Sequence, residues 1–369
     1  MADLETVQVV GDGIDGRWVT WRWMNGFLPG GVAEVTGLDR AAARLARALP
    51  RDRNHLGFEG ELNDPRGEQE LMEELGRVLL PDELRAQLLN CASDRIPLCV
   101  RVAPAPAAAT VPWGLLAIAE HRLLDIADVS WIAPVLPRDL SAVEQQPSWD
   151  EARSKPALYV IDPVQRLGRV LRPADRMALV AEMTGTVILG SRYGAADLSS
   201  DLQSGVSRLF LLGHVLAGEA VSGNGFVLSD LNGAWPDSLT AEELIREPST
   251  WPMPPRVAVI ACASGVDMAD HEPFGLATAL LHNGAETVQA TLWTLPTDHA
   301  LATQDALAEP ALRQLAAAIN QAQAALDPVA ALCGWQRTQL IRWRQNPSLS
   351  TSPLLWGAAL TMTAPRRLI

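Results

Sequence analysis

Two stretches decide how this chain is read: Arg208-Leu209-Phe210-Leu211-Leu212-Gly213-His214 and Arg256-Val257-Ala258-Val259-Ile260-Ala261-Cys262. Each is an apolar run of strand length that ends on a residue able to do acid–base or nucleophilic chemistry. Runs of the same kind at 157–161, 186–189 and 286–293 also read as buried strands. Helical candidates at 174–183, 195–203, 240–246 and 274–283 lie between them. Buried strands alternating with helices build a mostly parallel sheet covered on both faces, the α/β class. In such sheets reactive groups gather just beyond the carboxyl ends of the strands, where exposed loops stand on a rigid base. His214 and Cys262 both occupy that position.

A thiol becomes a strong nucleophile on losing its proton, so a hydrolytic cysteine needs a base within hydrogen-bond reach. Histidine titrates near neutrality and suits the task. His214 precedes Cys262 by 48 residues, close to the separation of about 50 found in caspases. Spacing alone decides little in a chain with six histidines and four cysteines. The placement of both residues at strand ends is the stronger argument. Cysteine more often serves as a small buried filler, and Cys91, Cys99 and Cys333 are read that way. Trp113, Trp293 and Trp356 are likewise read as packing residues. No CxxC pair or metal-ligand spacing occurs, so neither a disulfide framework nor a zinc site is indicated, and no cofactor is expected.

Outward from this core, 298–343 is rich in Ala and Leu and reads as helical, and 354–362 is apolar and either returns to the sheet or packs on it. Upstream, 140–155 is polar and turn-rich, which sets a boundary near 147–156. The expected organisation is a strand-rich extension over 1–60, a first region over 61–150 and a catalytic domain over 151–369. Residues 39–49 and 68–90 carry apolar positions three and four apart and read as amphipathic helices. Residues 104–112 form a Pro/Ala loop, and 7–35 read as a hairpin. Its turn, Gly11-Asp12-Gly13-Ile14-Asp15-Gly16, spells the dinucleotide fingerprint GxGxxG. That fingerprint works only if a helix starts at its third glycine, and the Trp-rich run that follows favours a strand.

The composition sets outer limits. With 369 residues, 48% of them hydrophobic, the chain can close a large core. A net charge of −13 opposes binding to nucleic acid. Lys155 is the only lysine, and codon bias in a GC-rich bacterial genome explains the excess of arginine. The first residues lack a basic and apolar leader, and no apolar run is long enough to span a bilayer, so a cytoplasmic protein without a membrane partner is expected.

Val259-Ile260-Ala261-Cys262-Ala263-Ser264-Gly265 resembles the nucleophile motif of the CHAT domain family, caspase-like bacterial relatives of cysteine peptidases. Further elements resemble that family in the right order: Val111-Pro112-Trp113-Gly114-Leu115-Leu116, the helix and Gly-Ala turn from Phe274 to Ala285, Leu292-Trp293 followed by Asp298, and Ser352-Pro353-Leu354-Leu355-Trp356-Gly357-Ala358-Ala359. The resemblance covers roughly 68–362. It implies a caspase-like peptidase with His214 as base and Cys262 as nucleophile, acting on a protein substrate. It also implies a regulatory partner protein and a setting in bacterial regulated proteolysis or antiphage defence. The backbone N–H groups of Val215 and Cys262 would hold the oxyanion. The family usually has glycine directly after the histidine. A β-branched residue does not take the positive φ open to glycine, so a misaimed donor at Val215 is expected.

Asp162, Asp267, Asp270 and Glu272 are candidates for the substrate pocket, with a preference for Arg or Lys before the cleaved bond. A solvated acidic loop is the plainer alternative for them. The rival to a working peptidase is a catalytically silent caspase-like scaffold that binds partners. A nucleotide-binding enzyme is disfavoured, since no GxxxxGK[ST] run occurs.

Overall fold

A computed structural model describes residues 4–13, 16–50, 57–133, 146–163, 169–189, 193–216, 225–229, 237–260, 275–293 and 295–364. The chain divides into two compact units, Met1–Ile132 with Val329–Ala358, and Ala133–Pro328 with Ala359–Ile369.

The first unit holds β1 (Glu5–Asp12), β2 (Trp18–Trp23), β3 (Gly31–Glu34), β4 (Leu98–Ala103), the two-residue strands β5 (Ala117–Ile118) and β6 (His121–Arg122), and β7 (Asp128–Ile132). Its main strands run in the order β3-β2-β1-β4-β7. β1, β4 and β7 are parallel, and β1-β2-β3 form an antiparallel meander. The glycine turn is therefore a hairpin, because β2 opens at Trp18 where a dinucleotide site would need a helix. Gly16 has φ +63, and a Cβ there would meet Leu38 Cδ2 at 2.7 Å. Its glycine serves a close backbone approach and not a phosphate. The indole N–H groups of Trp21 and Trp23 both donate to Gln87 Oε1, at 3.2 and 2.8 Å.

The amphipathic stretch after residue 64 forms two helices, Pro65–Leu79 and Asp82–Ser93. Pro81 lies between them, with no N–H to continue the first. The Asp64 carboxylate caps the first helix by accepting from Gly67 N at 2.6 Å. Inside this unit, Arg122 donates to Glu68 at 2.8 Å and both side chains are 3% exposed. Trp343 Nε1 donates to the same carboxylate at 3.4 Å.

The second unit holds β8 (Ala157–Ile161), β9 (Gly185–Ile188), β10 (Arg208–Leu212), β11 (Val215–Leu216), β12 (Gly225–Ser229), β13 (Asp237–Thr240), β14 (Arg256–Ile260), β15 (Thr287–Thr291) and β16 (Ala359–Thr363). Its main strands run β16-β15-β14-β10-β8-β9. All are parallel except β16, which returns antiparallel to β15. Every residue of β8, β10 and β14 is buried, the pattern of strands covered on both faces. The crossover from β8 to β9 carries helix Pro173–Ala181. The next crossover, to β10, carries Ala195–Ser204 and runs the opposite way across the sheet. Right-handed crossovers in opposite directions put these helices on opposite faces.

Candidate active site

The reversal of strand order falls between β8 and β10: the chain steps from β8 out to β9, then crosses back to lay β10 on the other side of β8. In open α/β sheets, ligand crevices form at such a switch point, outside the carboxyl ends of the strands. Ile161, Leu212 and Ile260 are register partners across β8, β10 and β14, so these three strands leave the sheet together. Asp162 follows the first, Gly213-His214 the second and, in sequence, Ala261-Cys262 the third.

Backbone hydrogen bonds fasten these exits. Gly213 N donates to Ile260 O at 3.1 Å, and Asp162 N donates to Leu212 O at 2.6 Å. A Cβ at position 213 would meet the Phe226 ring at 3.0 Å and Pro163 Cδ at 3.2 Å, so the glycine before the histidine lets β12 close over the exit. His214 is half-buried, and its carbonyl accepts from Val227 N at 2.9 Å.

Val215 does not take a positive φ. It opens β11 opposite Phe226 of β12. Hydrogen-bonded and non-bonded pairs alternate along an antiparallel ladder. Because His214 and Val227 are bonded, Val215 and Phe226 form a non-bonded pair, and the Val215 N–H points away from β12. β11 is an edge strand of the small sheet β11-β12-β13, so this donor is directed off the sheet edge. Valine supplies it in an extended conformation, without the positive φ of a glycine.

Asp162 has φ +51 and is 1% exposed. Its Oδ1 accepts from Val170 N at 3.2 Å, while Oδ2 has no hydrogen-bond partner among the described residues. Burial pushes its carboxyl above the usual range. The Val170 N–H and the charges of His214, Arg169 and Arg176 pull the other way. Asp162 and His214 therefore share one electrostatic environment.

Cys262, Asp267, Asp270 and Glu272 lie outside the described residues. Of the remaining cysteines, Cys91 and Cys333 are buried. Burial raises both thiols, that of Cys333 to about 12, and Cys333 exchanges hydrogen bonds with the Val129 backbone. These two are packing residues. Trp113, Trp293 and Trp356 are also core residues, 2 to 3% exposed.

Asp298, the acid that follows Leu292-Trp293, has a structural role that spacing did not reveal. Its carboxylate accepts from Leu312 N at 2.8 Å and Arg313 N at 3.0 Å, the first turn of helix Ala311–Ala324. Burial raises its pKa to about 6. Among the described residues no helix is long and apolar enough to cross a membrane.

The family model for the CHAT domain matches residues 69–364. No curated protein matches significantly. Two crystal structures of the Saccharomyces cerevisiae separase–securin complex are similar in fold, each with a TM-score of 0.57, at 9% and 8% sequence identity. The match covers 98% of this chain and 30% of that chain, so this chain spans less than a third of the length it matches. At such identity the likeness speaks for the fold alone, which is caspase-like.

Proposed function

The chain belongs to the CHAT domain family, and from that premise we propose that it is a cysteine endopeptidase cleaving a protein partner, with His214 as base and Cys262 as nucleophile. The observation that carries this reading is the common exit of β8, β10 and β14 at the switch point, with His214 two residues beyond Leu212 and Cys262 two residues beyond its register partner Ile260. In the reaction His214 takes the thiol proton and the thiolate attacks the peptide carbonyl carbon. The oxyanion so formed accepts from the N–H groups of Val215 and Cys262. As the carbon–nitrogen bond breaks, His214 returns the proton to the leaving amine. A water, deprotonated by His214, then attacks the thioester and releases the acid and the thiol. A setting in bacterial regulated proteolysis or defence, with a regulatory partner protein, is part of the same proposal.

Specificity for Arg or Lys before the cleaved bond is the finer part. Asp162 supports it: its Oδ2 lacks a donor among the described residues, and an incoming guanidinium or ammonium would supply one. The enzyme reading is tested with an electrophilic peptide probe on the full chain, locating the adduct by mass spectrometry. Labelling of Cys262 that is lost in His214→Ala is expected. Equal labelling in both proteins would leave a scaffold that binds without cutting.

A further inference from the structure

At the amino ends of β8 and β10, the ends opposite His214, a pocket of about 350 Å³ is lined by Trp149, Arg153, Lys155, Ser207, Arg208 and Leu326 among others. Three of its lining residues are cations and none is a carboxylate. That concentration runs against a chain with 43 acidic and 30 basic residues. A fourth cation backs the wall. Arg256 is the register partner of Arg208 and lays its guanidinium over the Trp149 ring, 3.6 Å from the centroid.

Part of this charge has a structural duty. Arg208 donates to Asn320 O at 3.0 Å and to the Tyr159 hydroxyl at 2.7 Å. Arg256 donates to the carbonyls of Gln323, Ala325 and Leu326. These carbonyls mark the C-terminal end of helix Ala311–Ala324, whose dipole offers roughly half a negative charge. Glu286, whose carboxylate accepts from Trp149 N at 3.1 Å, also acts on Arg256, which leaves Arg153, Lys155 and Arg208 as the charge that lines the pocket. Arg153 meets Asp150 only at 3.8 Å with both side chains well exposed, and among the described residues no carboxylate is in ion-pair range of Lys155 or Arg208. Burial, joined by the neighbouring Arg208, pushes the Arg256 pKa down to about 10, with Glu286, Asp327 and Asp150 acting the other way. The two buried guanidiniums are thus crowded, and an anion at the pocket mouth relieves them.

We propose that this pocket binds a small phosphorylated molecule, with the phosphate held by Arg153, Lys155 and Arg208 and the remainder seated against Trp149. Guanidinium forks and an ammonium suit a tetrahedral dianion. The volume falls in the range of small-molecule sites, about 300–1,000 Å³, which leaves room beyond the phosphate itself. β10 rises about 3.3 Å per residue, so Arg208 and His214 are on the order of 20 Å apart. Binding here neither requires peptidase activity nor competes with a substrate.

The test is isothermal titration of the full chain with pyrophosphate at low ionic strength. The variants are Arg153→Ala/Lys155→Ala, whose side chains are exposed and carry no helix, and a charge-matched control, Arg17→Ala/Arg246→Ala. Saturable binding by wild type and control is expected, weakened at least about tenfold by loss of the pocket cations. No saturable binding, or equal weakening in both variants, would overturn the assignment.

Discussion

In the first unit β1, β4 and β7 run parallel and leave their sheet at Asp12-Gly13, Ala103-Pro104 and Ile132-Ala133. In the second, β8, β10 and β14 leave at Asp162, at Gly213-His214 and, in sequence, at Ala261-Cys262. β4 alternates buried and half-buried residues, whereas β10 is buried throughout. In the first unit Glu68 Oε2 accepts from both Arg122 and Trp343, and this buried cluster lies on helices and a short strand away from the ends of the parallel strands. In the second unit, the polar side chains of Asp162 and His214 share the switch point, and Asp162 Oδ2 has no hydrogen-bond partner among the described residues. Parallel strands by themselves do not make a site. What separates the two regions is whether titratable residues stand together at the ends of neighbouring parallel strands, as Asp162 and His214 do beyond β8 and β10.

That contrast predicts opposite consequences of substitution. Cys262→Ala or His214→Ala should lower peptide cleavage by about 10⁴-fold or more with little change in unfolding free energy. Glu68→Ala should do the reverse, stranding the Arg122 guanidinium and costing about 3–5 kcal/mol in denaturant unfolding. A Glu68→Ala protein as stable as wild type, or a His214→Ala protein that unfolds far more easily, would erase the distinction between the regions.

Val215→Pro sharpens it further. Proline removes an N–H that points away from β12, so the β11–β12 pairing survives while an oxyanion donor is lost. Activity should fall about 10²–10³-fold, with Val215→Gly, which keeps the N–H, close to wild type. Equal activity in Val215→Pro would remove this N–H from the mechanism.

Much of the second unit was legible because its strands are short, largely apolar and ended by single conspicuous residues. The runs at 157–161 and 208–212 coincide with β8 and β10, and the apolar tail at 354–362 overlaps all but the last residue of β16. Other features are silent in a local pattern. β11 has two residues and β13 four, too few to show a period of two. The packing of Val329–Ala358 with Met1–Ile132 is a tertiary fact that no window of periodicity contains. Buried Arg208 and Arg256 look like ordinary strand edges until the C-terminal end of helix Ala311–Ala324 is seen to receive them. The glycine after the catalytic histidine of the family seemed necessary at 215. In the ladder the valine is extended and keeps its N–H directed away from β12, which is the geometry the proposed role requires.

A smaller effect concerns pH. The Asp298 carboxyl is raised from 3.8 to about 6, so between those values the folded state binds more protons than the unfolded one and stability falls as pH rises. The contribution is fully present below about pH 4 and lost above about pH 6, amounting to at most about 3 kcal/mol. Unfolding of wild type relative to Asp298→Asn, followed from pH 4 to pH 7, should show wild type losing ground with rising pH. A constant difference would mean that Asp298 titrates normally.

The central claim, that the common exit of β10 and β14 pairs a histidine with a cysteine, is tested most directly by the pH dependence of Cys262 alkylation in wild type and His214→Gln. An ordinary thiol titrates near 8.5, and a neighbouring imidazolium draws it lower. The account predicts rapid alkylation of wild type well below pH 8.5 and a profile moved up toward the ordinary thiol in His214→Gln. Superimposable profiles in the two proteins would contradict it.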